Sequence, residues 1–528
     1  MSKNKKIVKN TLLLYSRMLL TMGVSLYTSR IVLNTLGVED FGIYNVVGGV
    51  VIMFSFMSSA MSSATQRFLA IELGKKDDEQ LKKVFSMSIN IHAIIALIIL
   101  VFAETLGLWF LNAKLVIPID RMEAANWVYQ ASILAFMLTV MGVPYNAIII
   151  ANERMNIYAY VSIVDVILRL LIVFALVWID YDKLKLYAIF VFCITITIWM
   201  LYKIYCKQNF PETRYRFFWD KSLYKTMMHY AGWNLFGNLA YVTMTQGVNI
   251  LLNLFFGPVV NSARGIAYQV NAAVGGFVGN FQMAMNPQIF KSYAAEDRKY
   301  MHQLIFQGSK YSFFLLFFIA LPLLIETETI LKWWLKIVPE YTVLFCRLVL
   351  INTLIDCISG PLMTAAQATG RIKKYQAVVG GLLLLILPIS YLLLKNEFPP
   401  EITLYVSISI SIIALFTRLF IISPLVQLSI LTFIRIVLAR VFLVAMVSVI
   451  FPLIIKHSVS NELIQYLSLY IPFIIKYNIN QELIQFFAVC LVSVPSVIIS
   501  IYWLGLKNEE KFFMKNKLLQ FIVKITNR

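Results

Sequence analysis

Charge is scarce in this chain. Asp, Glu, Lys and Arg together make up 14% of its 528 residues, while 60% are hydrophobic. A soluble domain carries about a quarter charged residues, so an ordinary water-facing surface is excluded. Cysteine is scarce too. The five present (Cys193, Cys206, Cys346, Cys357 and Cys490) lie mostly in apolar stretches without metal spacing, and read as small buried residues. Histidine is scarcer still, with His92, His229, His302 and His457 widely scattered. There is no nucleophile elbow, no paired set of catalytic carboxylates and no Walker lysine behind a glycine loop. The chain is therefore not expected to be an enzyme. No catalytic residue, metal site or cofactor is assigned, and ATP-driven transport by this chain alone is not expected.

What is present is apolar sequence in stretches of roughly 20 residues, the length that crosses a bilayer at about 1.5 Å per residue. Membrane barrels would instead alternate over segments of about ten residues. Runs such as Ile94 to Phe102 and Gly381 to Ile389 do not alternate. The expected fold is an all-α integral membrane protein of about fourteen spanning helices. The expected spans are 10–33, 41–64, 84–104, 125–149, 157–179, 185–205, 229–255, 262–287, 304–325, 341–364, 375–394, 402–423, 432–455 and 483–504. The seventh and eighth are the least apolar. The first apolar run exceeds a signal-peptide core and contains Arg17 and Arg30, so it is expected to be retained as helix 1.

A formal charge of +19 raises nucleic acid as a partner. The cations lie in short connections between apolar spans, however, which is the positive-inside pattern, and no nucleic acid is expected. Lys3, Lys5, Lys6 and Lys9 precede the first span. Further groups follow at Arg67 to Lys83, Lys207 to Lys225, Arg371 to Lys374, and Lys507 to Arg528. The intervening connections hold few cations, the first only Glu39 and Asp40 and the eleventh only Lys395. This alternation puts both termini in the cytoplasm and requires an even number of spans. The longest basic connection, 206–228, divides a six-helix lobe at 1–205 from a second at 229–424. Two extra helices at 425–505 and a basic tail at 506–528 complete the expected organisation. In the connection, Phe217, Phe218 and Trp219 before Asp220 read as an interfacial anchor and a helix N-cap.

Two repeats are visible. A shift of 217 residues carries Pro144, Ala151, Arg154 and Tyr158 onto Pro361, Ala368, Arg371 and Tyr375. An even number of helices separates the copies, so the halves are expected to relate by an axis along the membrane normal. The second repeat is local. Phe451 to Tyr466 recurs at Ile471 to Phe486 and lengthens the connection between helices 13 and 14.

Polar residues inside spans are costly and mark function or packing. Helix 8 carries Arg264, Tyr268, Asn271, Gly275, Gly279, Gln282 and Asn286 at steps of three and four, hence on one face. Helix 7 carries Asn234, Asn238, Thr245, Asn249 and Asn253, and helix 2 carries Tyr44, Gly48, Ser55, Ser59, Ser62 and Gln66. These faces either glue helices together or line a watery cavity. The cavity reading makes Asn234, Asn238, Asn249, Tyr268, Asn271 and Gln282 substrate-binding candidates. Arg17 and Arg30 lie on helix 1 about 220° apart, so they do not share a face. Asp165 and Arg169 stand one turn apart, can pair, and are candidates for coupling or gating. Arg347 and Asp356 fall on opposite faces of helix 10. The surplus of guanidinium over carboxylate suits an anion such as pyrophosphate, which Arg binds as a fork. Arg17, Arg30 and Arg264 complete the substrate-binding set.

The segments NTLLLYSRMLLTMGVSLYTSRIVLNTLGVEDFGIYNVVGGVV (Asn10 to Val51), ATQRFLA and NPQIFKSYA carry a resemblance. They are similar to the polysaccharide-flippase branch of the multidrug/oligosaccharidyl-lipid/polysaccharide exporter superfamily. The resemblance implies two six-helix lobes rocking about a central cavity in the bacterial inner membrane. Its implied cargo is a polyprenyl-pyrophosphate-linked oligosaccharide of O-antigen or capsule type, moved from the cytoplasmic to the periplasmic leaflet. Implied partners are the lipid bilayer, a polysaccharide polymerase and glycosyltransferases, with the transporter itself a monomer. The lipid II flippase is similar in having fourteen helices and arginines on helices 1 and 8. Drug-exporting relatives typically carry an acid in helix 1, and this helix 1 has none. The alternatives are a multidrug exporter of the same fold and a non-transporting scaffold for glycan-assembly enzymes.

Overall fold

The computed structural model describes residues 3–52, 54–113, 117–256, 258–335, 338–458 and 481–512. Among these there is no strand. In chain order the helices are α1 (Lys3–Ile52), α2 (Ser55–Lys75), α3 (Asp78–Phe102), α4 (Leu108–Ala113), α5 (Met122–Ala151), α6 (Met155–Trp178) and α7 (Lys183–Asn209). Then come α8 (Lys221–Phe256), α9 (Pro258–Ala294), α10 (Arg298–Ile325), α11 (Thr327–Leu335), α12 (Thr342–Ile358), α13 (Gly360–Thr369), α14 (Lys373–Leu384) and α15 (Ile386–Lys395). The last are α16 (Ile402–Val426), α17 (Ile430–Phe433), α18 (Ala439–Ser458) and α19 (Gln481–Ser500). The local 451–486 duplication falls largely outside the described residues, as does most of the basic tail.

Among the described residues, 11 helical segments are long and apolar enough to cross a membrane. The expected spans missing from that set are the first, second and eighth. They fall on α1, α2 and α9, which interleave Asn10, Thr11, Ser16 and Arg17, the serines of α2, and the polar stripe of α9. One boundary differs from expectation. The connection expected at 34–40 is helical, because α1 runs through it to Ile52, and the next helix starts at Ser55. No proline stands in that stretch to end the helix.

Contacts divide the chain into two units. Unit 1 holds Met1–Val242, Met283–Met301 and Thr364–Gly380. Unit 2 holds Thr243–Gln282, His302–Met363 and Gly381–Arg528. In unit 1, α1 packs along α6, while α5 packs against α2, α3 and α7. Asp40, Arg121 and Asp182 tie α1 to the starts of α5 and α7: Arg121 Nε donates to Asp40 at 2.8 Å and Nη1 to Asp182 at 3.0 Å. Burial raises the Asp182 pKa, but hydrogen bonds from the Lys185 N–H and from Arg121 outweigh it and hold the carboxyl below its ordinary value. Tyr129 donates to the Ala103 carbonyl at 2.7 Å beside the π-turn Ala103–Gly107, which continues α3 into α4.

In unit 2, α12 and α15 pack on α16, and α18 packs on α19. Buried ion pairs fasten this last pair to α10. Lys456 of α18 reaches Glu326 at 3.2 Å and donates to the Ile325 carbonyl at 2.7 Å. Lys310 of α10 pairs with Glu510, beyond α19, at 2.6 Å. Burial raises the Glu510 pKa, yet Lys310 and the Lys507 N–H bring it below its ordinary value.

Candidate functional site

Each unit holds its own cluster of candidate residues. In unit 1, α1 lies along α6, which sets the Arg17 guanidinium 4.7 Å from the ring centre of Tyr158. Arg17 Nε and Nη1 are buried and have no hydrogen-bond partner among the described residues. Tyr202 of α7 lies within electrostatic reach of Tyr158, Arg17 and Asp165. Asp165 and Arg169 pair as their spacing predicts, with Nε 3.1 Å from each carboxylate oxygen. Arg169 in turn faces Tyr44 and Tyr187, whose rings meet edge-on at 4.8 Å. The side chain of Arg30 lies outside the described residues.

The polar stripe of helix 7 is shared between glue and open surface. Asn234 is buried and accepts a hydrogen bond from Gln376 of α14 at 3.1 Å. Asn238 is exposed and donates to Ser59 at 3.4 Å. Both contacts lie within unit 1. Further along, in unit 2, Asn249 donates to Gln246 at 3.1 Å. Asn253 lies outside the described side chains.

Unit 2 gathers Arg264, Tyr268, Asn271 and Gln282 on α9. Arg264 is 2% exposed, among the most buried large side chains of the chain. Its guanidinium sits 4.6 Å from the ring centre of Tyr268, donates to the Tyr268 hydroxyl at 3.2 Å and reaches the Thr245 carbonyl at 3.5 Å. Asn271 accepts from Thr353 at 2.6 Å. Gln282 donates to Ser312 at 3.0 Å and to the Cys357 carbonyl at 3.1 Å. Its amide lies over Gly360, where a β-carbon would stand 2.3 Å from Nε2, so only glycine admits this contact.

Arg347 and Asp356 each find another partner, as opposite faces require. Arg347 donates to the Leu324 carbonyl at 3.1 Å. Asp356 accepts from Asn352 at 2.9 Å and stands 4.0 Å from Arg418 of α16, which also donates to Ser359 at 3.2 Å. Sequence reasoning missed Arg418. The available signal was a lone cation inside the apolar run of α16. Tyr158 and Tyr202 were missed as site residues because aromatic residues recur throughout the spans and only the fold sets them beside Arg17.

Comparison with known proteins agrees with this architecture. The model of a family described as "Polysaccharide biosynthesis protein" matches residues 7–296. No curated protein matches in sequence. The chain is similar in structure to an outward-facing multidrug resistance MATE family transporter of the MOP superfamily, with TM-score 0.67 and 12% identity, covering 80% of this chain and 97% of that one. It is similar to a MATE protein in its bent conformation, with TM-score 0.68 and 12% identity, covering 81% and 97%. It is also similar to the MATE transporter VcmN of Vibrio cholerae in the bent form, with TM-score 0.63 and 15% identity, covering 81% and 98%. At such identities these likenesses speak for the fold. With the family match over more than half of its length, the chain belongs to the polysaccharide biosynthesis protein family.

Proposed function

We propose that this transporter flips a polyprenyl-pyrophosphate-linked oligosaccharide from the cytoplasmic to the periplasmic leaflet of the bacterial inner membrane, for surface polysaccharide biosynthesis. The observation that carries the reading is Arg17: two of its N–H groups are buried without a partner among the described residues. Burying an unmatched guanidinium is costly, and a bound anion offsets that cost through charge-assisted hydrogen bonds. A pyrophosphate supplies such an anion. In the same unit, the exposed Asn238 of α8 offers an amide that can donate to and accept from sugar hydroxyls. The carrier tail stays in lipid while the headgroup crosses by alternating access.

The same fold serves multidrug resistance transporters, which favours a drug exporter as the second reading. A cationic drug wants an available carboxylate. Here Asp165 is paired with Arg169, and Asp356 has Arg418 beside it. About a fifth of this chain lies outside the match to those structures, a share the size of residues 425–528. We assign α18 and α19 to that surplus and to the lipid-linked cargo, with polymerase and glycosyltransferases as neighbours in the membrane.

The test replaces Arg17 with Ala and measures surface polysaccharide in cells, alongside resistance to cationic drugs on overexpression. The expected result is loss of polysaccharide at a normal protein level with unchanged drug resistance. Normal polysaccharide with Arg17 absent would remove the arginine role. Acquired drug resistance would favour the second reading.

A further inference from the structure

Resting on the transport reading above, we propose that two reciprocal clasps within unit 1 hold the cytoplasmic ends of the helices shut, and that ATQRFLA and NPQIFKSYA are their gripping halves. The clasps grow from two turns. Between α5 and α6, Glu153 takes a φ of +59°; between α13 and α14, Gly370 takes a φ of +74°. The 217-residue shift that relates Ala151 to Ala368 and Arg154 to Arg371 also relates Glu153 to Gly370. One left-handed helix end is thus built twice.

Each turn is gripped by a helix from the other half of the sequence. On α9, Lys291 Nζ and Gln288 Nε2 each donate to the Glu153 carboxylate at 2.6 Å. Asn10 of α1 donates to the Glu153 carbonyl at 3.2 Å. On α2, Arg67 donates through Nε to the Gln367 carbonyl and through Nη2 to the Ala368 carbonyl at 3.1 Å. A β-carbon at Gly370 would stand 2.5 Å from Arg67 Nη2, so both the φ and the approach call for glycine. The gripping segments share a Gln-x-Phe pattern, Gln66-Arg67-Phe68 in one half and Gln288-Ile289-Phe290 in the other, although the gripping Arg67 falls opposite Ile289 and Lys291 opposite Leu69. They touch at Gly74, where a β-carbon would come within 2.9 Å of the Ala294 β-carbon.

The first-half turn held by α9 of the second half, and the second-half turn held by α2 of the first, is the exchange that a two-fold axis generates. The chemistry of the two grips differs. One is a carboxylate–ammonium pair, and the other sets a guanidinium on the last carbonyls of a helix, where the dipole favours a cation. One partner of each grip is buried, Glu153 at 4% and Arg67 at 8% exposed, while the Lys291 side chain keeps 24%. Such pairs are stable when closed and dry, and open only if water takes over both partners. That gives two discrete states, as a gate requires. The Lys and Arg distribution puts this end of the helices at the cytoplasm.

The test uses the full-length chain with its cysteines removed and one reporter, Ala284→Cys, at a site 1% exposed beside Leu14, Ile150 and Met155. Labelling by a membrane-impermeant maleimide is followed in inside-out vesicles. Glu153→Ala and Arg67→Ala should each raise the labelling rate tenfold or more, and Glu153→Lys with Lys291→Glu should restore it. A control chain keeps only Cys346, buried in unit 2, whose labelling should not change. Should Glu153→Ala fail to reach the membrane, Glu153→Gln replaces it, with a threefold rise expected. An unchanged reporter, or equal rises at Ala284→Cys and Cys346, would overturn the clasp. No substrate enters the assay. Raised labelling together with normal surface polysaccharide in a strain that lacks the protein would keep the clasp and remove the flippase reading.

Discussion

Arg17 and Arg264 look alike and live differently. Both lie on helices of mixed polarity, and both place a guanidinium over a tyrosine ring, at 4.7 and 4.6 Å. Arg264 also donates to the Tyr268 hydroxyl and reaches a carbonyl. Arg17 has two buried N–H groups without such partners among the described residues. A buried cation anchored by its own hydrogen bonds ties its unit together, whereas one with two nitrogens lacking such bonds keeps capacity for a ligand at a cost to stability. The contrast separates two roles that the sequence treats as one.

The sharpest way to break it is transport. Arg17→Ala should lower export of lipid-linked glycan at least tenfold while leaving the melting temperature within a few degrees, and Arg17→Lys should recover part of the activity. Radiolabelled glycan export and thermal unfolding of the purified protein report these outcomes. A large loss of stability in Arg17→Ala would make the two arginines equivalent.

Arg264→Ala should behave in the opposite way. It removes a buried cation and strands the groups that it satisfied, a loss of roughly 3 kcal/mol. Thermal unfolding should show it with or without substrate. A smaller effect is expected for Arg418→Ala, about 2 kcal/mol, because it leaves Asp356 without its cation. Asp356→Asn in the Arg418→Ala background should recover part of that loss, which a double-mutant cycle measures.

The smallest effect is at Asp182. Asp182→Asn should cost about 1 kcal/mol at neutral pH, since the cluster is partly exposed. The folded pKa lies below the ordinary 3.8, so this contribution is present above about pH 4. It fades as pH falls through the depressed value. Unfolding measured in acid should therefore show wild type and variant converging, and a constant gap would contradict the ion pair.

Much of the fold was legible because bilayer crossing imposes a simple length and polarity rule. Spans such as α10, α12 with α13, and α16 fall within a few residues of expectation. The rule fails where it should, on α1, α2 and α9, whose polar residues lower their apolarity. Helical spacing foretold the Asp165–Arg169 pair because one turn fixes both ends. It could not foretell Asp356 with Arg418, or Glu153 with Lys291, since those partners come from distant helices. Nor could it divide the asparagines of α8. Asn234 went to packing against Gln376, while Asn238 stayed exposed, and only the neighbouring helix decides between the two.

The most direct measurement is ligand binding to purified full-length protein, comparing a polyprenyl pyrophosphate with the matching polyprenyl alcohol. Wild type should favour the pyrophosphate at least tenfold, and Arg17→Ala should erase that preference while Arg264→Ala, where it remains folded, keeps much of it. Equal preference in wild type and Arg17→Ala would contradict the account.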